Sequence, residues 1–318
     1  MAQNTIEKED VRAPETETVV QQQRPPKKRR RRAGDRPDGR RLRTISPMLR
    51  FMPYIMPKRS DALNYYTDCF EITELESFCR SKVKAGMTDF GFLHIILAAY
   101  IRTVAMRPAI HRFVSGQKIY SRGDDISVVM TIKRSMKLSS PDTCIKVHFN
   151  PNDTIDDVYR KFDAVVQANK QEDGVNSFDK LNRLLLLIPG LLCRWTVKFL
   201  NFLDYFGLLP KKILELSPFH GSMIITSMGS LGIKPIYHHI YDFGNLPIFI
   251  SYGAKRSSVS LDKEGNVKKR KYIDIKVVMD ERICDGYYYA SALKCIRRLV
   301  ENPTLLETPP KEIVEDVD

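Results

Sequence analysis

The period of the apolar positions changes repeatedly along the chain, and each change marks an element. Leu63 to Ile72 (LNYYTDCFEI) is aromatic and β-branched in character and predicts a strand. TELESFCRSKVK follows at helical spacing, with Thr73 as its cap and Leu75, Phe78 and Val83 on one side. Thr88 or Asp89 is placed to cap a long helix through GFLHIILAAYIRTVAM, which stops before Pro108. Its nearly all-round apolar character implies burial on both sides. Strands are predicted at Lys118 to Ser121, Ile126 to Ile132 and Thr143 to Phe149, after which Asp153-Thr154 opens the amphipathic helix TIDDVYRKFDAVVQANK. Residues 179 to 209 read as helical, with an interruption at Pro189-Gly190. The second half (GSMIITSMGSLG, NLPIFISYGA and RSSVSLDKEGNVKKRKYIDIKVVMD) reads as strands joined by turns, LDKEGN being a hairpin turn. A last helix, GYYYASALKCIRRLVENP, ends before Pro303. Alternation in the first half and clustered strands in the second imply an α/β fold with helices on a mixed sheet, in one domain.

The pattern fades at the ends. Residues 1 to 43 are charged and almost free of large apolar side chains, so a disordered tail is expected there. The domain is expected over 44 to 305 and an acidic C-terminal tail over 306 to 318. The formal net charge of +13 is unevenly spread: eleven Lys/Arg against Asp35 and Asp38 between Arg24 and Arg43 leave +9 in twenty residues. Such a run attracts polyanions weakly and in a salt-dependent way, and PPKKRRRR is similar to a nuclear-localisation run. It has no aromatic residue to stack on bases, which argues against sequence-specific single-strand binding. Six scattered cysteines without a C-x-x-C pair exclude a zinc ribbon, a thioredoxin motif and a dense disulfide framework, and suit reduced thiols in a cytoplasmic protein. No apolar segment follows Met1, so no secretory signal is read. Leu184 to Cys193 is too short for a membrane span, which needs about 20 apolar residues.

Generic catalytic motifs are missing: no G-x-S-x-G, Walker loop, G-x-G-x-x-G or H-E-x-x-H occurs. His238-His239 resembles half a metal site, but neighbours on an extended chain face opposite ways and no ligand partners stand at the right spacing, so no metal is expected. The sharpest feature is VVMDERICDGYYYASALKCIRRL. There a β-run ends in Asp280, Glu281, Arg282 and Asp285, followed by Gly286 at the start of a helix. Charges gathered at a strand end are either an ion-pair knot or a site.

D-E-R-I-C-D-G resembles the D-H-R-x-x-D-G signature of the 2-oxoacid dehydrogenase dihydrolipoyl acyltransferases, and is similar to H-H-x-x-x-D-G of chloramphenicol acetyltransferase. GSMIITSMGSLGI resembles the family's G-x-T-F-T-I-S-N-L-G-x-F-G segment and NLPIFISYGA its following strand. The likeness runs from Ile45 to Pro303, weakly in the first half. It implies a two-layer sandwich with a mixed β-sheet, chloramphenicol acetyltransferase-like, assembling as a homotrimer with sites between subunits. Acyl-CoA would be the co-substrate, with no permanently bound cofactor. Carried across by position, Asp285 takes the organising aspartate's place, with Arg59 as its partner. Thr226 takes the place of the hydroxyl that stabilises the oxyanion, and Ser227 that of the adjacent asparagine. Arg282 and Gly286 complete the motif.

Glu281 occupies the position of the catalytic histidine. A glutamate titrates near 4.3 and a histidine near 6.5 in ordinary surroundings, so Glu281 serves as base only if its environment retunes it. The alternatives are a base from His94, His111, His238 or His239, or a non-catalytic relative kept for thioester binding or assembly. No D-K-A lipoylation hairpin appears, so no lipoyl group is expected on this chain, and no lipoyl or subunit-binding domain. The acyl group would arrive on free CoA or on a carrier protein. LLLLIPGLLCRWTVKFLNFLDYFGLL remains, read either as a buried or trimer-interface helix pair or as a surface for membrane or a long acyl chain, which Trp195, Arg194 and Lys198 would suit.

Overall fold

The strands of the second half converge on one long strand, which sets the sheet. The computed structural model describes residues 31–133, 142–171, 187–261 and 264–318. The strands are β1 (Arg40–Arg41), β2 (Leu63–Glu71), β3 (Phe113–Ser115), β4 (Lys118–Ser121), β5 (Ile126–Lys133), β6 (Asp142–Phe149), β7 (Met223–Ser227), β8 (Ile248–Tyr252), β9 (Arg256–Leu261) and β10 (Val267–Asp280). The helices are α1 (Pro47–Ile55), α2 (Leu75–Lys84), α3 (Phe92–Met106), α4 (Ile155–Gln171), α5 (Gly190–Tyr205), α6 (Lys211–Leu216) and α7 (Gly286–Glu301). The main sheet runs β2-β10-β8-β7-β5-β6, with β9 hairpinned onto β10. β7 is parallel to both β5 and β8 while the remaining pairs are antiparallel, which makes the sheet mixed, as the sequence pattern implies.

Alternation along the strands divides the core in two. Ile225, Ile250, Ile275 and Val277 face the helices and pack with Ile96, Tyr100, Tyr289 and Ile296. Every residue of α3 from His94 to Ala105 is buried, matching its all-round apolar sequence. The opposite face carries Ile224, Phe249 and Val278, covered by Ile240 and Leu246 from the 228–247 segment. This gives the two-layer α/β architecture. Two cap expectations fail. α2 is preceded by Glu74 and α3 by Gly91, while Thr73 instead accepts a hydrogen bond from the Lys271 amide (3.1 Å). Val83 is exposed rather than packed with Leu75.

The ends of the chain depart most from expectation. Ala33–Asp318 fold as one unit, so the body begins ahead of the expected boundary at 43. Arg36 is buried, Leu42 joins the core, and Arg40 pairs with Ser121 in a second, three-stranded sheet, β1-β4-β3. The expected acidic tail is likewise laid on the body. The Val314 amide donates to Ala105 O (2.8 Å), Arg112 pairs with Asp316 (2.6 Å), and Arg40 with Asp318 (2.6 Å). Each segment is rich in charge and reads alone as solvated, yet the basic one is matched by the acidic one from the far end of the chain.

Candidate active site

β10 delivers the D-E-R-I-C-D-G motif to one end of the sheet. Asp280, its last residue, is fully buried. Arg282 grips it with both prongs, Nε to Oδ1 at 2.8 Å and Nη2 to Oδ2 at 2.6 Å, and Arg59 Nε stands 3.3 Å from Oδ2. Both guanidiniums are buried as well, so one carboxylate serves two cations. Burial lowers the pKa of Arg59 and the nearby Arg282 lowers it further, against the pull of Asp280. The remaining donors of the two arginines reach backbone carbonyls: Arg282 to Met56 O (3.1 Å) and Pro57 O (3.2 Å), Arg59 to Gly244 O (2.9 Å) and to Tyr241 O. Tyr289 OH donates to Asp280 O (2.7 Å). The knot therefore ties the lead-in segment, the 241–244 loop and α7 to the end of β10.

This overturns one expectation. Within the chain the partner of Arg59 is Asp280, and Asp285 is an exposed N-cap that accepts from the Tyr288 amide at 2.8 Å. Geometry explains the exchange: Asp285 opens α7, where its carboxylate meets free amides, whereas Asp280 ends inside the sheet. Asp280 was legible as part of a charge cluster, but only the paired arginines single it out. A Cβ on Gly286 would meet nothing within 4 Å, so no close approach inside the chain demands glycine there.

Glu281 is half-buried beside this knot. Its amide donates to Ala62 O (2.9 Å), and Asn64 Nδ2 donates to its Oε2 (2.8 Å), fixing the carboxylate against β2. Asn64 had no signal in the sequence; it becomes relevant only because β2 pairs with β10.

Thr226 and Ser227 lie elsewhere. Ladder register places Thr226 opposite Ser251, Ser251 opposite Lys276, and Lys276 opposite Thr67. This polar row crosses the face away from the helices, where Ser251 Oγ bonds the backbone of Ile236 and Lys276 Nζ stands 4.3 Å from the centre of the Tyr237 ring. Ser227, one residue on, turns to the helix face with Tyr252. Lys276 precedes Glu281 by five residues, so the Thr226 row and Glu281 are separated by about 16 Å along the sheet. One chain does not bring them together.

The four histidines separate clearly. His94 is packed among Phe90, Tyr159 and Phe162, and burial pushes it down to about 4. His111 is sealed in the interior with Nε2 2.6 Å from Ser222 Oγ, and burial, reinforced by Arg122, pushes it down to about 3. Both are core residues. His239 is exposed against Tyr241. His238 stacks on Phe249 with ring centres 4.5 Å apart, so it lies on the face that carries Thr226, between the Ser251 row and the Arg59 knot. Its Nε2 is buried without a hydrogen-bond partner, and burial, then His239, lowers its pKa.

Among the described residues no group of His, Cys, Asp and Glu is placed to hold a metal ion. Residues 211–308 match the catalytic domain of the 2-oxoacid dehydrogenases acyltransferase family. Over this stretch the chain is similar to that family. The matched segment contains Thr226, Ser227, His238, His239 and the whole D-E-R-I-C-D-G motif, while Arg59, His94, His111 and α5 lie outside it. No curated protein matches the sequence. Solved structures similar to the chain include a probable dihydrolipoamide acetyltransferase of Listeria monocytogenes (13% identity, TM-score 0.49, covering 81% of this chain and 93% of that one). Another is the dihydrolipoamide acetyltransferase of Azotobacter vinelandii (14%, TM-score 0.48, 83% and 93%). A chloramphenicol acetyltransferase also aligns (14%, TM-score 0.46, 75% and 88%). These superpositions all fall below 0.5, so the likeness to the family rests on the sequence match over residues 211–308.

Proposed function

We propose that the protein transfers an acyl group from CoA or another thioester to a thiol or hydroxyl acceptor, in a homotrimer whose sites combine two subunits. The observation that carries this reading is the separation of Glu281 from Thr226 along one sheet, in a chain whose family segment contains both. A site built from the two is incomplete in one chain and complete where the end of one sheet faces the polar row of another copy. In this reading Glu281, held by Asn64, takes the proton of the acceptor as it attacks the thioester carbonyl carbon. Thr226 donates to the oxyanion of the tetrahedral intermediate, and the proton passes to the departing CoA sulfur as the carbon–sulfur bond breaks. His238 is the alternative base, being on the same face as Thr226.

Acyl-CoA consumption, read as free thiol against a panel of acceptors, tests the reading. Glu281→Ala and Thr226→Ala should each abolish turnover. Mixing the two inactive variants and allowing exchange should restore about a quarter of the sites, since a restored site needs one intact half from each variant. Recovery of nothing on mixing rejects the shared site, and full activity of Glu281→Ala moves the base to His238.

A second reading is favoured by Asp285, which caps a helix instead of holding an arginine, and by the missing histidine. In it the fold binds a thioester without transferring its acyl group. No turnover by the wild type or by Glu281→His, with acyl-CoA binding retained, is its expected signature.

A further inference from the structure

The helix that the family match leaves unexplained is α5, which precedes residue 211. Of its sixteen residues only Asp204 is buried. Cys193, Thr196, Leu200 and Leu203 are half-buried and recur three and four residues apart, so they form the side turned to the body. Asp204 fastens that side through Arg36 (2.6 Å) and His220 (3.4 Å). Turned outward is a stripe of Leu191, Leu192, Trp195, Phe199, Phe202 and Phe206, in which Trp195 is 62% exposed and the first two phenylalanines 59% and 57%. Arg194, Lys198 and Asn201 run beside it one helical step away, and Lys211 and Lys212 follow. From 187 to 212 the one carboxylate is the buried Asp204, so every exposed charge here is positive.

α1 repeats the arrangement on a smaller scale. Met48, Phe51 and Tyr54 are exposed, with Arg50 among them. The two helices converge on the β3–β4 turn. Phe51 and Tyr54 line a hollow of about 260 Å³ with Gln117 of that turn, and Gln117 Oε1 accepts from Tyr205 OH of α5. A Cβ on Gly116 in the same turn would come within 2.3 Å of Tyr205 O, so the turn and the end of α5 are in direct contact.

We propose that α5, with α1 beside it, seats the protein on an anionic lipid surface. Aromatic and leucine side chains suit the headgroup–acyl boundary, and the adjoining cations match anionic headgroups. Two copies meeting through this stripe would bring Arg194 and Lys198 together with no carboxylate between them, which disfavours a second copy as the occupant. Among the described residues no helix is long and apolar enough to cross a membrane, so the contact is one of lying on the surface. The inference stands apart from the acyl-transfer reading.

Trp195 is the one tryptophan of the chain and reports directly on the stripe. The full chain is mixed with vesicles of phosphatidylcholine alone and of phosphatidylcholine with phosphatidylserine, and followed by flotation and Trp195 emission. The expected result is flotation and a blue shift with the anionic vesicles only. Phe199→Ser with Phe202→Ser should weaken binding about a hundredfold, at unchanged thermal stability because both side chains are exposed. Arg194→Glu with Lys198→Glu should weaken it at least about tenfold. Trp195 emission already blue-shifted without lipid and unmoved by either vesicle would show a protein surface covering the stripe and overturn the proposal. Anionic-vesicle binding undiminished in the paired serine variant would overturn it too.

Discussion

Replacing Asp280 by alanine should destabilise the protein far more than replacing Asp285, although resemblance alone points to Asp285. Asp280 is fully buried and is the shared counter-ion of Arg59 and Arg282, which are buried with it. Removing the carboxylate leaves two guanidiniums in the interior with only backbone carbonyls to satisfy them. Breaking a buried pair from one side costs about 3–5 kcal/mol, and two stranded cations place this variant at the upper end. Asp285 is exposed and holds one amide hydrogen bond at the start of α7, so its loss should cost about 1 kcal/mol. The assay is urea denaturation, comparing midpoints at a common slope. Asp280→Ala that fails to accumulate folded would agree with the upper range, and Asp280→Asn, which keeps the shape and loses the charge, then gives the measurable value. Equal losses for Asp280→Asn and Asp285→Ala would refute the assignment of the knot to Asp280.

Two further outcomes follow from the buried groups and the backbone, beside the mixing and vesicle experiments above. Because His94 and His111 are held at about 4 and about 3 in the folded protein, the unfolded chain takes up their protons first as pH falls. Stability should therefore be fully present above about pH 6.5 and decline below it, and a urea midpoint constant between about pH 8 and 5 would contradict this. Asp204, where burial is outweighed by His220 and Arg36 so that it sits at about 2, adds a loss in the same direction below about pH 4. Gly244→Ala should lower stability by at least about 1 kcal/mol, because φ there is +82° and a Cβ would meet Phe219 O at 2.1 Å. An unchanged urea midpoint would show that the 241–244 loop gives way without cost.

The sequence by itself determined most of the long elements and the sheet type, though not α1, β1 or β3. Long runs with one consistent pattern, such as alternating β10, all-round apolar α3 and amphipathic α7, keep their structure because burial and pattern agree. The family motif was legible because it is contiguous. What sequence could not supply is any relation between distant residues. Arg59 and Asp280 are 221 positions apart, and the basic segment around Arg36 and Arg40 is held by Asp204 and Asp318, so each half alone reads as solvated charge. Tertiary structure also decided which motif residues share a site. Register sets Glu281 about five residues beyond the Thr226 row, a separation that ladder pairing fixes and motif order does not reveal. The same holds for α5, whose apolar sequence suits a core helix. Only packing shows that its single buried side chain is an aspartate, because the core was already filled by α3 and α7.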